Sequence, residues 1–103
     1  MQNFHVTITP YVQTYFTDPQ QQAQLTEFFM EKLPLYLQQR PAKIKPVHGH
    51  MPHLFELKVR IGRTFYRAAF LHTHDQIQVV YITDILQKVK FDRKANHFLA
   101  QQA

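Results

Sequence analysis

Between Leu54 and Thr83 the chain carries three runs of strand-forming residues separated by two short turns, and this spacing constrains the fold more than any other feature. Residues 54–61 alternate, with Phe55, Leu57, Val59 and Ile61 on one face and Leu54, Glu56, Lys58 and Arg60 on the other. Gly62 and Arg63 supply a turn, residues 64–71 form a second run rich in aromatic side chains, and His72, Thr73, His74 and Asp75 form a second turn. Residues 77–83 are the third run, with Val79, Val80, Tyr81 and Ile82 at its centre. Connections this short cannot carry a crossover to a parallel neighbour, so the three runs predict an antiparallel meander.

The flanking segments predict helices and one further strand. Residues 4–8 alternate apolar and polar and stop before Pro10, as a short edge strand does. Asp18 is placed to cap a helix, with Pro19 at its first position and Gln21 three residues after the cap. Leu25, Phe28, Phe29, Leu33, Tyr36 and Leu37 then recur at helical spacing and mark a buried face. Pro34 lacks an N–H and clashes with the preceding turn, so the spacing predicts one helix over 19–33 and a second, short one over 34–39. Residues 40–52, with Pro41, Pro46, Gly49 and Pro52, read as a connection holding a strand fragment at Lys43-Ile44-Lys45. Residues 93–102 predict a terminal helix with Ala95, Phe98 and Leu99 inward. Helices gathered on one face of an antiparallel sheet make an α+β fold, and 103 residues suffice for one domain spanning 1–103.

Composition removes several classes of function. With no Cys there is no disulfide framework, no thiolate zinc site and no cysteine nucleophile, which agrees with a reducing compartment. The longest apolar stretch, residues 28–37, is broken by Glu31, Lys32 and Pro34, so no membrane span is expected; nor does the polar-interrupted start read as a signal peptide. Charge is unevenly divided. Residues 1–39 hold one base, Lys32, against three acids, whereas residues 40–103 hold eleven bases against four acids. A basic surface on so small a domain points to a polyanion, nucleic acid first; a domain merely kept soluble by its charge is the plain alternative.

The bases are grouped. Lys58 and Arg60 lie two apart on one strand and share a face, Arg67 is on the next strand, and Arg63 is in the turn between. Lys88, Lys90, Arg93 and Lys94 follow the last strand. A strand pair bearing Lys58, Arg60 and Arg67 would gather three cations whose mutual repulsion a phosphate relieves, and which would favour a pentavalent phosphorane over the ground-state diester. Equally, such a face could be solvated, with the Lys and Arg stems covering apolar surface.

The segment His53-Leu54-Phe55-Glu56-Leu57-Lys58, followed by Tyr66-Arg67-Ala68-Ala69-Phe70 and an aliphatic strand, resembles the RelE superfamily of toxins, in particular its phage-related HigB-like branch. The likeness covers most of residues 53–100, and the strand and helices ahead of it come in the same order. It implies a RelE-like fold, with an antiparallel sheet, an N-terminal helix pair on one face and a short C-terminal helix. It also implies a cytoplasmic type II toxin that cleaves mRNA in the ribosomal A site without metal or other cofactor, neutralised by an antitoxin, of helix-turn-helix type by analogy with HigB-like operons; a homodimer stays open. The family's basic positions fall on Lys58, Arg60 and Arg67. Arg60 and Arg67 would hold the scissile phosphate, Lys58 would accept a proton, and Arg63, Lys88, Lys90, Arg93 and Lys94 would hold RNA. Two departures stand out: the family's paired lysines after the last strand are replaced by Asp84-Ile85-Leu86-Gln87-Lys88, and its tyrosine near the terminal helix by Phe91. Phe91 can stack but cannot move a proton, a task that Tyr66, Tyr81 or a histidine would have to assume. A non-catalytic RNA- or protein-binding module of the same fold, and a gyrase-directed toxin, are the competing readings.

Other residues have smaller parts. Glu56, the lone acid on the cationic face, would be a base if catalytic and, if structural, would pair with Lys58, Arg60 or Arg67 and orient them, the role that the resemblance implies. His48, His50 and His53, and His72 with His74, have spacings that can bind zinc or nickel, but polar loop residues explain them as well and no metal site is assigned. His50 or His53 could also serve as an acid or base. Phe28, Phe29, Phe55, Phe65 and Phe70 read as core, which leaves Tyr66 as the stacking candidate, although it faces away from Arg67.

Overall fold

A computed structural model describes residues 3–102, and the fold is α+β. Among these residues five strands form one sheet in the order β1-β5-β4-β3-β2: β1 (His5–Ile8), β2 (Lys45–Pro46), β3 (Leu54–Ile61), β4 (Thr64–Thr73) and β5 (Gln76–Thr83). The meander over β3, β4 and β5 is antiparallel as its turns require. Gly62 takes the left-handed φ of 66° that the first turn needs, and His74 takes φ 54° in the second. The apolar run at 79–82 does not alternate because β5 carries a bulge opposite Ala69 and Phe70, and all four of these residues are buried.

The sheet is mixed rather than antiparallel throughout. β1 lies at the edge as its pattern predicts, but it pairs parallel to β5, from His5 opposite Gln76 to Ile8 opposite Val79. Hairpin logic constrains only neighbours joined by short turns, and β1 reaches β5 from the far end of the chain.

Among the described residues five helical segments complete the fold: α1 (Pro10–Gln13), α2 (Pro19–Glu27), a π-helical turn (Phe28–Lys32), α3 (Leu33–Gln39) and α4 (Lys88–Gln102), with a 3-10 turn at Pro41–Lys43. Asp18 caps α2 through a 3.0 Å bond from the Gln21 N–H. The second short helix expected over 34–39 is present as α3, with Pro34 in its first turn, but it is joined to α2 by a widening instead of a break. The Leu33 N–H reaches back to the Phe28 carbonyl, and the wide π turn admits the proline ring with the helical path continuing. Pro10, which ends the strand, also opens the unforeseen one-turn helix α1.

Helices cover both faces of the sheet, not one. On the first face Leu25, Phe28, Phe29 and Leu33 pack on Leu57, Val59, Ile61, Ala68 and Phe70. On the second, Phe91 and Ala95 of α4 pack on Leu54, Ala69, Val80 and Tyr81. At 15 residues α4 is longer than the predicted terminal helix, because Lys88 to Asp92 already belong to its first turns. Gly49 is required where the connection meets α4: a Cβ there would overlap the Asn96 amide, which itself donates to the His48 carbonyl at 2.9 Å.

Burial against Phe91 and Phe98 pushes the Tyr81 hydroxyl above the ordinary tyrosine value of 10.0, and burial together with the Asp84 charge does the same for Tyr15. Below that value both folded and unfolded chains keep these protons. As pH rises through it the unfolded chain ionises first, so stability is lost from pH 10.0 upward. Urea unfolding midpoints measured at about pH 8 and about pH 11 are expected to show this decline, and Tyr81→Phe is expected to reduce it.

Candidate functional site

The alternation of β3 and the register with β4 build the site. On the α4 side of the sheet Leu54 faces Leu71, Glu56 faces Ala69, Lys58 faces Arg67 and Arg60 faces Phe65. The Leu54 and Ala69 end lies under α4, while Lys58, Arg60 and Phe65 extend beyond it into solvent. The second face of the sheet is thus apolar at one end and cationic at the other.

Glu56 divides these cations into two sets. Its carboxylate is 1% exposed and accepts from Arg67 Nη1 at 2.6 Å, with Lys88 Nζ at 3.1 Å. Arg67 is held further by the Leu86 carbonyl, 3.1 Å from Nε and 2.7 Å from Nη2, and its guanidinium lies 5.8 Å from the Phe91 ring. Lys88 also donates to Asp92 Oδ1 at 2.8 Å and to the Pro46 carbonyl at 2.6 Å. Two carboxylates therefore balance two cations. Burial at this depth is tolerated only because every charge is paired and hydrogen-bonded.

Outside that network lies an unbalanced set. A cleft of about 620 Å³ is lined by Lys32, Lys43, Lys45, Lys58, Arg60, Arg67 and Lys88 against the single carboxylate Glu56, with Phe28, Tyr36 and Phe65 among its walls. Lys32, Lys43, Lys45, Lys58 and Arg60 are exposed, and none is in ion-pair contact with a carboxylate among the described residues. Arg60 Nε donates to the Gly62 carbonyl at 3.1 Å, which bends its stem back over the hairpin. Five cations bordering one concavity raise the local concentration of any polyanion.

Lys58, Arg60 and Arg67, anticipated as one cluster, do line one cleft, but Arg67 has three of its five N–H groups engaged by Glu56 and Leu86. Glu56 orients Arg67 and Lys88, not Lys58 or Arg60. Lys88 lines the cleft from inside the buried network. Arg63 sits exposed in the β3–β4 turn, and Lys90, Arg93 and Lys94 are exposed on α4, all four outside the cleft lining.

Three expectations about aromatic residues are corrected. Phe91 is fully buried and unavailable for stacking. Tyr66 packs edge-on against Tyr15 and Phe16 on the opposite face of the sheet. Phe65, assigned to the core, is 49% exposed at the cleft. Of the residues proposed to replace the missing proton carrier, Tyr81 is buried under α4 and no histidine lines the cleft. No group of three or more His, Asp or Glu residues is placed to hold a metal among the described residues.

Lys32, Lys43, Lys45 and Tyr36 were not anticipated. Lys32 is the one base in the acidic half of the chain, brought to the cleft by the helix that the π turn keeps continuous. Its signal in the sequence was a charge spaced i, i+4, i+8 with Phe28 and Tyr36, at the border of the helix's apolar face. No helix among the described residues is long and apolar enough to cross a membrane. The chain matches no family model, no curated protein and no solved structure.

Removing Glu56 leaves the partly buried Arg67 without its carboxylate, so Glu56→Ala is expected to cost about 3–5 kcal/mol of stability. Glu56→Gln, which keeps an acceptor, should cost less. Denaturant titration of the two variants checks the order.

Proposed function

We propose that this chain is a toxin of a type II toxin–antitoxin pair, of the RelE superfamily and its HigB-like branch, that binds mRNA on the ribosome and cleaves it. The observation that supports this reading is the cleft in which Lys32, Lys43, Lys45, Lys58 and Arg60 surround an anchored Arg67. A small antitoxin of helix-turn-helix type is the protein partner that the resemblance brings.

The chemistry follows from where charge develops. The 2′-oxygen forms a bond to phosphorus as the bond to the 5′-oxygen breaks, leaving a 2′,3′-cyclic phosphate and a 5′-hydroxyl. In the phosphorane between them negative charge grows on the non-bridging oxygens, where Lys58, Arg60 and the unengaged N–H groups of Arg67 can meet it. Anchoring by Glu56 and Leu86 holds the guanidinium in place before substrate arrives, so little reorganisation is needed. The proton leaves the 2′-oxygen and another is taken up by the 5′-oxygen. Lys58, solvent-facing and paired across the ladder with Arg67, accepts the 2′ proton as the neutral amine and as the ammonium so formed joins the cations, while the 5′-oxygen takes its proton from water. Because cations neutralise the developing charge, the step needs no metal.

A second reading, RNA binding without cleavage, is favoured by one observation: three N–H groups of Arg67 are already engaged. Regulated expression in bacteria with mapping of mRNA ends separates the two. The proposal expects growth arrest and new 5′-hydroxyl ends with the wild type, and cleavage reduced by roughly 100-fold or more by Lys58→Ala or Arg67→Ala. Lys58→Ala is the cleaner variant, since Lys58 makes no buried ion pair. Folded wild-type protein that gives neither arrest nor new ends sinks the toxin reading, whereas RNA retained without new ends establishes the second.

A further inference from the structure

Phe65 is an apolar ring left half in water at the end of a hairpin, where neither α4 nor the helices of the other face cover it. Strand parity puts it on the same face as Arg67, and the register sets it directly opposite Arg60. Lys58 Nζ and Arg60 Cζ each lie 5.9 Å from the centre of its ring. The ring is therefore steadied by two cations and also forms part of the cleft wall.

We infer that Phe65 is a stacking platform for an unpaired base, so that the cleft takes single-stranded rather than duplex RNA. The inference rests on the RNA-binding reading of the same cleft and adds the form of the substrate. Aromatic rings beside cationic grooves hold single strands because every base has a π face, whereas in a duplex those faces are occupied by neighbouring pairs. The spacing fits one nucleotide. Phe65 and Arg67 are two residues apart along β4, about 7 Å, so a base on the ring brings an adjacent phosphate to the Lys58, Arg60 and Arg67 cations. Stacking a base on Phe65 also removes apolar surface that the fold alone leaves in water.

The chain contains no Trp, so Phe65→Trp creates a single indole reporter. The probes are a 2′-O-methyl RNA oligonucleotide, which cannot undergo 2′-hydroxyl attack, an abasic oligonucleotide with the same backbone, and a duplex. Stacking predicts that indole emission is quenched by the single strand and not by the abasic strand or the duplex. It also predicts that Phe65→Ala weakens single-strand binding by roughly ten- to hundredfold while leaving abasic binding unchanged. If Phe65→Ala binds the single strand as tightly as wild type while Lys58→Ala and Arg60→Ala weaken it, the ring serves only to pack the cation stems. The stacking inference then fails and the polyanion reading survives. If wild type binds none of the probes, both fail together.

Discussion

A buried carboxylate organises this molecule. Glu56 sits on the one strand whose alternation would otherwise point an acid into an apolar layer, and it is tolerated there because Arg67 from β4 and Lys88 from α4 close on it. Those two bonds link the centre of the sheet to the first turn of the terminal helix. From Lys88 the network continues to Asp92, and from Asp92 Oδ2 to the His48 N–H at 3.2 Å, which ties the long connection against the same helix. β2, the 47–49 segment and α4 thus share one polar hub. The apolar contacts of Phe91 and Ala95 supply most of the burial, and the charges select which register of helix on sheet satisfies every donor.

The same hub gives the surface its character. By engaging Arg67 and Lys88 it withdraws two cations from solvent and leaves Lys32, Lys43, Lys45, Lys58 and Arg60 without acidic partners around the cleft. The buried ion pairs and the exposed charge of the cleft are thereby drawn from different members of one basic set. Arg67 stands between them, structurally anchored yet bordering the cleft. A side chain held in this way is suited to meet a phosphate without first losing conformational freedom.

Much of this was legible along the chain, and the parts that were not have physical causes. The alternation of residues 54–61 correctly assigned every side chain of β3 to its face, and Asp18 with Pro19 marked the start of α2. Pro34 correctly marked the first turn of α3 but not a break before it, because the rule against interior proline assumes an unbroken α-helical ladder, and a π turn relaxes that ladder. Phe65 misled because hydrophobicity does not say which length of a strand face a distant helix will cover. Lys32 was hidden for the opposite reason: it belongs to an acidic stretch by sequence and to the basic cleft by folding.

Local order was the part that the sequence by itself determined: an antiparallel meander, a capped helix ahead of it, an α+β composition, and Lys58, Arg60 and Arg67 on one side of two paired strands. These follow from steric preferences and from periods of two and 3.6, which act between residues close in the chain. Tertiary structure alone decided that β1 runs parallel to β5, that α4 takes the second face, and that Arg67 and Lys88 turn inward while Phe65 stays out. Each of these depends on contacts between segments tens of residues apart, where the choice is made by which apolar faces and charges can be satisfied at once, and no local pattern records that.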